Sequence, residues 1–238
     1  MNVMKNKIEI SDKSYIIHTH LGMGDMFICN GLIRKVVKED KYEKYYVICK
    51  EKNFKTIEAM YSDDDKISVI SIKGDNEYRE VHNLGLSPNN LRVGHEHLNP
   101  NIRFDESFYV QLNLTIEDKW KEFKLNRDID EEERVYNQLV SMPNEEYIFV
   151  HDESSLGKVD LKIESKMKII KPRLGITDNM INFLKVIENA KEIHCVDSSF
   201  LSMIDLSVKE TSASYFLHDV RKTHSPILSP KWSLIKYE

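Results

Sequence analysis

The chain has 238 residues, of which 41% are hydrophobic, and its formal net charge is -5. This composition is sufficient for a folded core, whereas no stretch approaches the roughly 18 consecutive apolar residues of a membrane-spanning helix. No run of Lys and Arg is long enough to follow a phosphate backbone, which argues against general nucleic-acid binding.

The cysteines and the first residues bear on the cellular location. Residues 1–7 lack the apolar segment of a secretory signal, so we expect a cytoplasmic protein. Cys29, Cys49 and Cys195 lie far apart between apolar residues. This arrangement predicts buried, reduced thiols and neither a disulfide framework nor a thiolate metal site.

Strand and helix patterns alternate along the first half of the chain, which we define as residues 1–115. Short, almost wholly apolar runs predict strands, and apolar residues at helical spacing predict helices. The predicted order is strand 14–19, helix 26–37, strand 45–50, helix 53–61 and strand 66–72. Residues 74–101 predict long loops with one helix near 76–81.

The next segment, residues 116–139, is predicted to connect two domains. Helical patterns at 104–114 and 129–139 flank a piece at 120–128 that is predicted to be extended. Trp120, Phe123 and Arg127 are expected to pack one domain against the other.

The alternation restarts in the second half, which we define as residues 140–238. Thr177 or Asp178 is expected to cap the first of its two helices. The predicted elements are strand 147–151, polar loop 152–161, strand 167–171, helix 177–190, strand 192–196, helix 198–207 and strand 212–217. Fully apolar strands separated by helices predict an α/β fold with a parallel sheet in each half.

A glycine-rich turn, HLGMGD, follows the first predicted strand. Ligands of parallel sheets bind at the carboxyl ends of the strands, where this turn lies. Gly22 and Gly24 allow close approach to the backbone, and Asp25 could accept a proton or a hydroxyl hydrogen bond. The alternative is that Asp25 merely caps the helix. Phe27 occupies the third glycine position of a dinucleotide fingerprint, so NAD binding is poorly supported.

A second turn, VDSSF, follows the strand at 192–196 and opens a helix. Its free N–H groups and hydroxyls suit a phosphate group, although Asp or Ser could simply cap the helix. The loops after the two preceding strands also carry groups that bind anions. Together these loops predict a diphosphate site that contains Ser154, Ser155, Lys158, Lys171, Arg173, Asp197, Ser198 and Ser199.

Other acidic and histidine clusters are weaker candidates for metal binding. Asp63 to Asp65 include an Asp-x-Asp, but this run precedes a strand and therefore lies at the amino end of the sheet. His18 and His20 lack a third ligand at a recognisable spacing, so packing or acceptor contact is favoured. His95 and His97 are expected in a solvated loop that could line the acceptor side.

Two segments resemble motifs of glycosyltransferase family 9, the heptosyltransferases. Residues 21–36, LGMGDMFICNGLIRKV, resemble its N-terminal glycine-rich motif. Residues 192–207, EIHCVDSSFLSMIDLS, resemble its Asp-Ser/Thr-Gly-Leu-x-His turn, with Ser199 in place of Gly and Ser202 in place of His. The resemblance implies a GT-B-like fold, in which two Rossmann-like domains, 1–115 on the acceptor side and 140–238 for the nucleotide-sugar, face across a cleft.

The resemblance implies a metal-independent glycosyltransferase without a cofactor, with Asp25 as general base. The implied partners are a nucleotide-sugar donor and a carbohydrate or glycolipid acceptor, with no nucleic acid and at most peripheral membrane contact. A noncatalytic nucleotide- or sugar-binding module and a sugar-nucleotide epimerase remain alternatives. The expected acceptor and cleft residues are His18, His20, Gly22, Met23, Gly24 and Asn30, and the expected donor residues are His151, Ser154, Ser155, Lys158, Lys171, Arg173, Asp197, Ser198, Ser199 and Phe200.

Overall fold

The computed structural model describes residues 11–39, 41–84, 89–94, 99–142, 145–173, 175–209, 211–220 and 226–237. The first half is α/β. Its elements are β1 (Ser14–His18), α1 (Met23–Ile28), α2 (Asn30–Lys38), β2 (Lys44–Lys50), α3 (Phe54–Tyr61), β3 (Ile67–Ile72), α4 (Glu77–Asn83), β4 (Asn90–Arg92) and α5 (Phe104–Val110).

The first sheet is parallel throughout, with the strand order β3-β2-β1-β4. The central strands β1 and β2 are buried along nearly their whole length, and Ile17 is in register with Val47. Burial of both faces explains why these strands are continuous apolar runs. The edge strand β4 was not predicted, because three residues without an apolar run carry no strand signal.

The connector contains α6 (Asp118–Lys121) and α7 (Ile129–Leu139). Asp128 caps α7 by accepting a hydrogen bond from the Glu131 N–H. The predicted extended piece at 120–128 is partly wrong, because α6 continues to Lys121. The helix predicted at 104–114 ends early, at Val110, and Asn113 further on has a φ of 56°, outside the helical region.

The second half is also α/β. Its elements are β5 (Tyr147–His151), β6 (Glu153–Ser154), β7 (Gly157–Lys158), β8 (Lys168–Ile170), α8 (Leu184–Glu188), β9 (Glu192–Val196), α9 (Ser199–Ser207), β10 (Ser214–Asp219) and β11 (Trp232–Lys236). The second sheet is parallel with the strand order β11-β10-β9-β5-β8, and β6 and β7 form a separate antiparallel hairpin. Parallel α/β architecture is therefore confirmed in both halves.

Two predicted helices differ from those observed. The helix expected at 26–37 begins earlier, at Met23, and is divided into α1 and α2 at Cys29. The cap of the helix at 177–190 is Asn179, whose side chain accepts from the Ile181 N–H, and not Thr177 or Asp178. The Thr177 hydroxyl instead accepts a hydrogen bond from the Asn179 N–H and shapes the turn before the helix.

Polar contacts join the connector to the second half. The Trp120 indole N–H donates to Asp205 Oδ2 at 3.0 Å, and Arg127 donates to Glu188 Oε1 at 2.7 Å. Trp120 and Arg127 therefore pack the connector against the second half, and Phe123 packs partly buried against the core. That these residues fix one domain against the other stays a prediction.

Two further expectations concern the state of the three cysteine thiols and the presence of a membrane-spanning helix. Cys29, Cys49 and Cys195 are buried and unpaired with one another, as predicted. Burial raises the pKa of Cys49 to about 12. Within the described ranges, none of the helices has the length and apolar character that crossing a membrane requires.

Candidate active site

The glycine-rich turn places Asp25 in the first turn of α1. Gly22 precedes the helix in the capping position, so Asp25 is its third residue and not its cap. A Cβ atom at Gly22 would lie 2.7 Å from Asp25 Oδ2, so a side chain there would displace the carboxylate. The alternative interpretation of Asp25 as the helix cap is therefore wrong.

Gly24 allows α1 to approach α9 of the second half. A Cβ atom at Gly24 would lie 3.3 Å from Ser202 Oγ and 3.6 Å from the Ser199 Cα atom. Ser202 is buried, and it stands where the resembled family motif has histidine. The small residues at these three positions permit the two predicted motifs to meet directly.

The start of α9 is linked to the end of β5. Ser198 occupies the capping position of α9, but its side chain makes no capping hydrogen bond. Its Oγ atom instead lies 2.9 Å from His151 Nδ1. The His151 ring also packs against Phe200, with ring centroids 4.4 Å apart. Burial lowers the pKa of His151 to about 4, so its imidazole is neutral at physiological pH.

A cavity of about 700 Å³ lies between the glycine-rich turn HLGMGD and the turn VDSSF. Its lining comes from both halves and includes Asp25 on one side and the start of α9 on the other. The sequence-predicted residues that line it are Gly22, Met23, Gly24, Asp25, His151, Ser154, Ser155, Asp197, Ser198 and Ser199.

A second cavity of about 370 Å³ lies beside the first. Lys171 there donates to Asp152 Oδ2 at 2.6 Å, so its charge is partly neutralised. Arg173 and Lys158 make no ion pair with any residue that the structure describes. The sequence-predicted residues that line this cavity are Met23, His151, Lys158, Lys171, Arg173 and Phe200.

Three predicted acceptor residues do not line the two cavities. His18 is buried, and its Nε2 atom lies 2.9 Å from Glu77 Oε1. His20 packs its ring edgewise against Phe108, with centroids 5.2 Å apart. Asn30 is fully buried, and its side-chain amide bonds the Lys124 carbonyl and N–H. His18 and Asn30 therefore lie in the packed interior and His20 packs against Phe108, and a role of these three residues toward an acceptor stays a prediction.

Sequence reasoning missed several lining residues. Lys50 is the last residue of β2, and Lys52 and Asn53 follow that strand, so the same strand-end rule could have found them. Asn53 is buried and donates from Nδ2 to the Leu21 carbonyl at 3.3 Å, which fixes the glycine-rich turn. Phe104, Glu153 and Pro226 also line the large cavity, and no local pattern marked Phe104 or Pro226.

The acidic run before β3 is engaged in ion pairs. Asp63 accepts from Arg34 and from Lys124, both at 2.6 Å, and these contacts lower the pKa of Asp63 against the opposing effect of partial burial. In the described part of the chain, no three His, Cys, Asp or Glu side chains are grouped to hold a metal ion. His95 and His97 lie outside the described residues.

Comparison with solved structures identifies a protein of similar fold. The chain is similar to the crystal structure of the glycosyl transferase family 9 from Veillonella parvula DSM 2008, with a TM-score of 0.56 and 10% sequence identity. The match covers 98% of this chain and 90% of that chain. No family model and no curated protein matches the sequence. At this identity the likeness is one of fold, and it confirms the glycosyltransferase family 9-like fold that the two motifs predicted.

Proposed function

We propose that the protein is a GT-B-type glycosyltransferase that moves a sugar from a nucleotide-diphosphate donor to an acceptor hydroxyl. The observation that carries this proposal is that Asp25 and the start of α9 line one cavity of about 700 Å³. The similarity in fold to a glycosyl transferase family 9 structure supports it. On this proposal, the two halves are the two domains and the cavity is part of the cleft between them.

Asp25 acts as the general base in the proposed reaction. As the acceptor oxygen forms a bond to the anomeric carbon, the bond from that carbon to the donor phosphate breaks, and Asp25 takes the hydroxyl proton. The N–H groups of Ser198, Ser199 and Phe200 at the start of α9 stabilise the negative charge that develops on the departing diphosphate.

Each of the two substrates is expected to lie against one half of the chain. The donor lies against the second half, and the carbohydrate or glycolipid acceptor lies against the first. Lys158 and Arg173 supply positive charge on the donor side, and this supports transfer without a bound metal or cofactor. We propose a cytoplasmic enzyme that does not bind nucleic acid and has at most peripheral contact with a membrane.

A ligand panel followed by a turnover assay tests this function. Thermal unfolding is measured with UDP, GDP, ADP and CMP, because a ligand that binds the native state raises the melting temperature. The sugar nucleotides of the stabilising base are then incubated with candidate acceptors. A transferase releases nucleotide only when acceptor is present. Conversion of the donor sugar alone would indicate an epimerase, and binding without turnover would indicate a noncatalytic module.

A further inference from the structure

The two cavities share four lining residues, which define a junction: Met23, Lys52, His151 and Glu153. Asp25 lines the large cavity, whereas Arg173 lines the small one. A molecule that reaches from the first of these side chains to the second therefore passes the four junction residues.

The proposed donor has to make that passage. The reacting sugar carbon lies next to the general base, so the sugar occupies the large cavity beside Asp25. The nucleoside then extends into the small cavity, which has an apolar wall that includes Met180 and Phe183. The diphosphate joins these two parts, and it must lie at the junction.

Lys52 is the one cation among the four junction residues. Met23 is apolar and Glu153 is anionic. The burial of His151 leaves its imidazole neutral at physiological pH. A dianionic diphosphate at this place, close to Glu153, needs a positive partner, since unpaired like charges in a cleft repel.

The surroundings of Lys52 leave its ammonium group available. It lies in the short 3₁₀ helix Glu51–Asn53 directly after β2, and its side chain is exposed. It makes no ion pair with a residue that the structure describes. Lys171 in the small cavity, by contrast, is 2.6 Å from Asp152, and Lys50 in the large cavity is 4.0 Å from Glu77.

We propose that Lys52, contributed by the first half, binds the diphosphate group of the donor and stabilises its charge as it leaves. This inference rests on the proposed function. It places a residue that binds phosphate on the first half of the chain, which the sequence assigned to the acceptor. Nucleotide binding then depends on both halves, and the second half alone binds the nucleoside diphosphate weakly.

Binding measurements on full-length variants test this assignment. The probes are the nucleoside diphosphate that the panel selects and the corresponding nucleoside. Lys52→Met should raise the Kd of the diphosphate by about 10- to 100-fold, the usual range for a lost charge-assisted hydrogen bond. The Kd of the nucleoside should not change. Lys52→Arg should retain most of the affinity, and Glu153→Gln should tighten diphosphate binding by removing a repelling charge.

Lys55→Met is the matched control, because Lys55 is an exposed lysine one turn further on that lines neither cavity. It should bind both probes as the wild type does. If the wild type binds the diphosphate and Lys52→Met binds it equally well, the assignment of Lys52 is overturned and the proposed function stands. An equal loss for the nucleoside would also overturn it. If the wild type binds no nucleoside diphosphate at millimolar concentration, the proposed function fails, and Lys52 fails with it.

Discussion

Asp25 is the residue on which the proposed chemistry depends. We expect Asp25→Asn to lower transfer by about 10²- to 10⁴-fold, because the amide cannot take the acceptor proton. Nucleotide affinity should remain. Gly22 and not Asp25 occupies the capping position, and the amide of Asn keeps an oxygen that can accept hydrogen bonds, so we expect the free energy of unfolding to change by less than about 1 kcal/mol from the altered charge at the helix start. Turnover, nucleotide titration and urea unfolding measure the three quantities.

The control for Asp25 is Glu51→Gln, which neutralises an exposed carboxylate that lines neither cavity. This variant should transfer sugar at the wild-type rate. Full activity of Asp25→Asn with the true donor and acceptor would end the assignment of Asp25 as the base.

At the scale of elements, a chain of hydrogen-bonding side chains runs across strands β9 and β10 to Tyr237, and its two histidines are buried. Glu192 Oε2 lies 3.1 Å from His194 Nε2, and His194 Nδ1 lies 2.9 Å from His218 Nε2. His218 Nδ1 is 2.7 Å from the Tyr237 hydroxyl. With both imidazoles neutral, each nitrogen has one role: Tyr237 donates to His218, His218 donates to His194, and His194 donates to Glu192.

This chain predicts a loss of stability in acid. Burial lowers the pKa of His194, and it lowers the pKa of His218 to about 4. Both values lie below the roughly 6.5 of an unfolded histidine, so the unfolded chain binds more protons. The free energy of unfolding should therefore have its full value above about pH 6.5 and fall as the pH drops toward 4. Urea unfolding at pH 7 and at pH 5 measures the difference.

His218→Asn should reduce that difference between pH 7 and pH 5, whatever its effect on stability at pH 7. A residual dependence should remain, because burial also lowers the pKa values of His18 and His151. His82→Gln, at an exposed histidine, should leave the difference as in the wild type. An unchanged pH dependence in His218→Asn would contradict the role of this chain.

At the scale of the whole molecule, a buried ion pair fastens the second half to the rest of the chain. Lys119 Nζ lies 3.0 Å from Asp105 Oδ2, and both side chains are at most 1% exposed. Asp105 accepts from the Ile227 N–H at 2.9 Å, and Lys119 donates to the Ile227 carbonyl. Pro226, the residue before Ile227, lines the large cavity. The pair therefore holds one wall of the candidate active site.

Lys119→Met should lower the free energy of unfolding by about 3–5 kcal/mol, because it leaves the Asp105 carboxylate buried without its charged partner. Adding Asp105→Asn should recover part of this loss, since the uncompensated charge is then removed. Urea unfolding of the two variants measures both effects. The control is Lys13→Met, which breaks an exposed pair with Glu43 and should change stability little. A similar small change in Lys119→Met would show that the pair is not critical.

The sequence by itself determined the α/β class, most strands and helices, and the two turns that meet at the large cavity. Apolar runs such as 147–151 identify buried strands because both faces of a parallel sheet are covered. The strand-end rule then places Asp25 and Ser198 each at the carboxyl edge of its own sheet, since it depends only on strand direction. These features are local or follow from chain order, and a single sequence carries them.

The tertiary structure alone decided which side chains reach the cavities. Asn30 lies within the first motif and His18 just before it in sequence, yet His18 is buried against Glu77 and Asn30 holds the connector backbone. Phe104 and Pro226 lie far apart in sequence, and only the packing of the two halves brings them to the same space. The physical reason is that a side chain's surroundings depend on strand pairing and on helix contacts between distant segments, which no local pattern encodes.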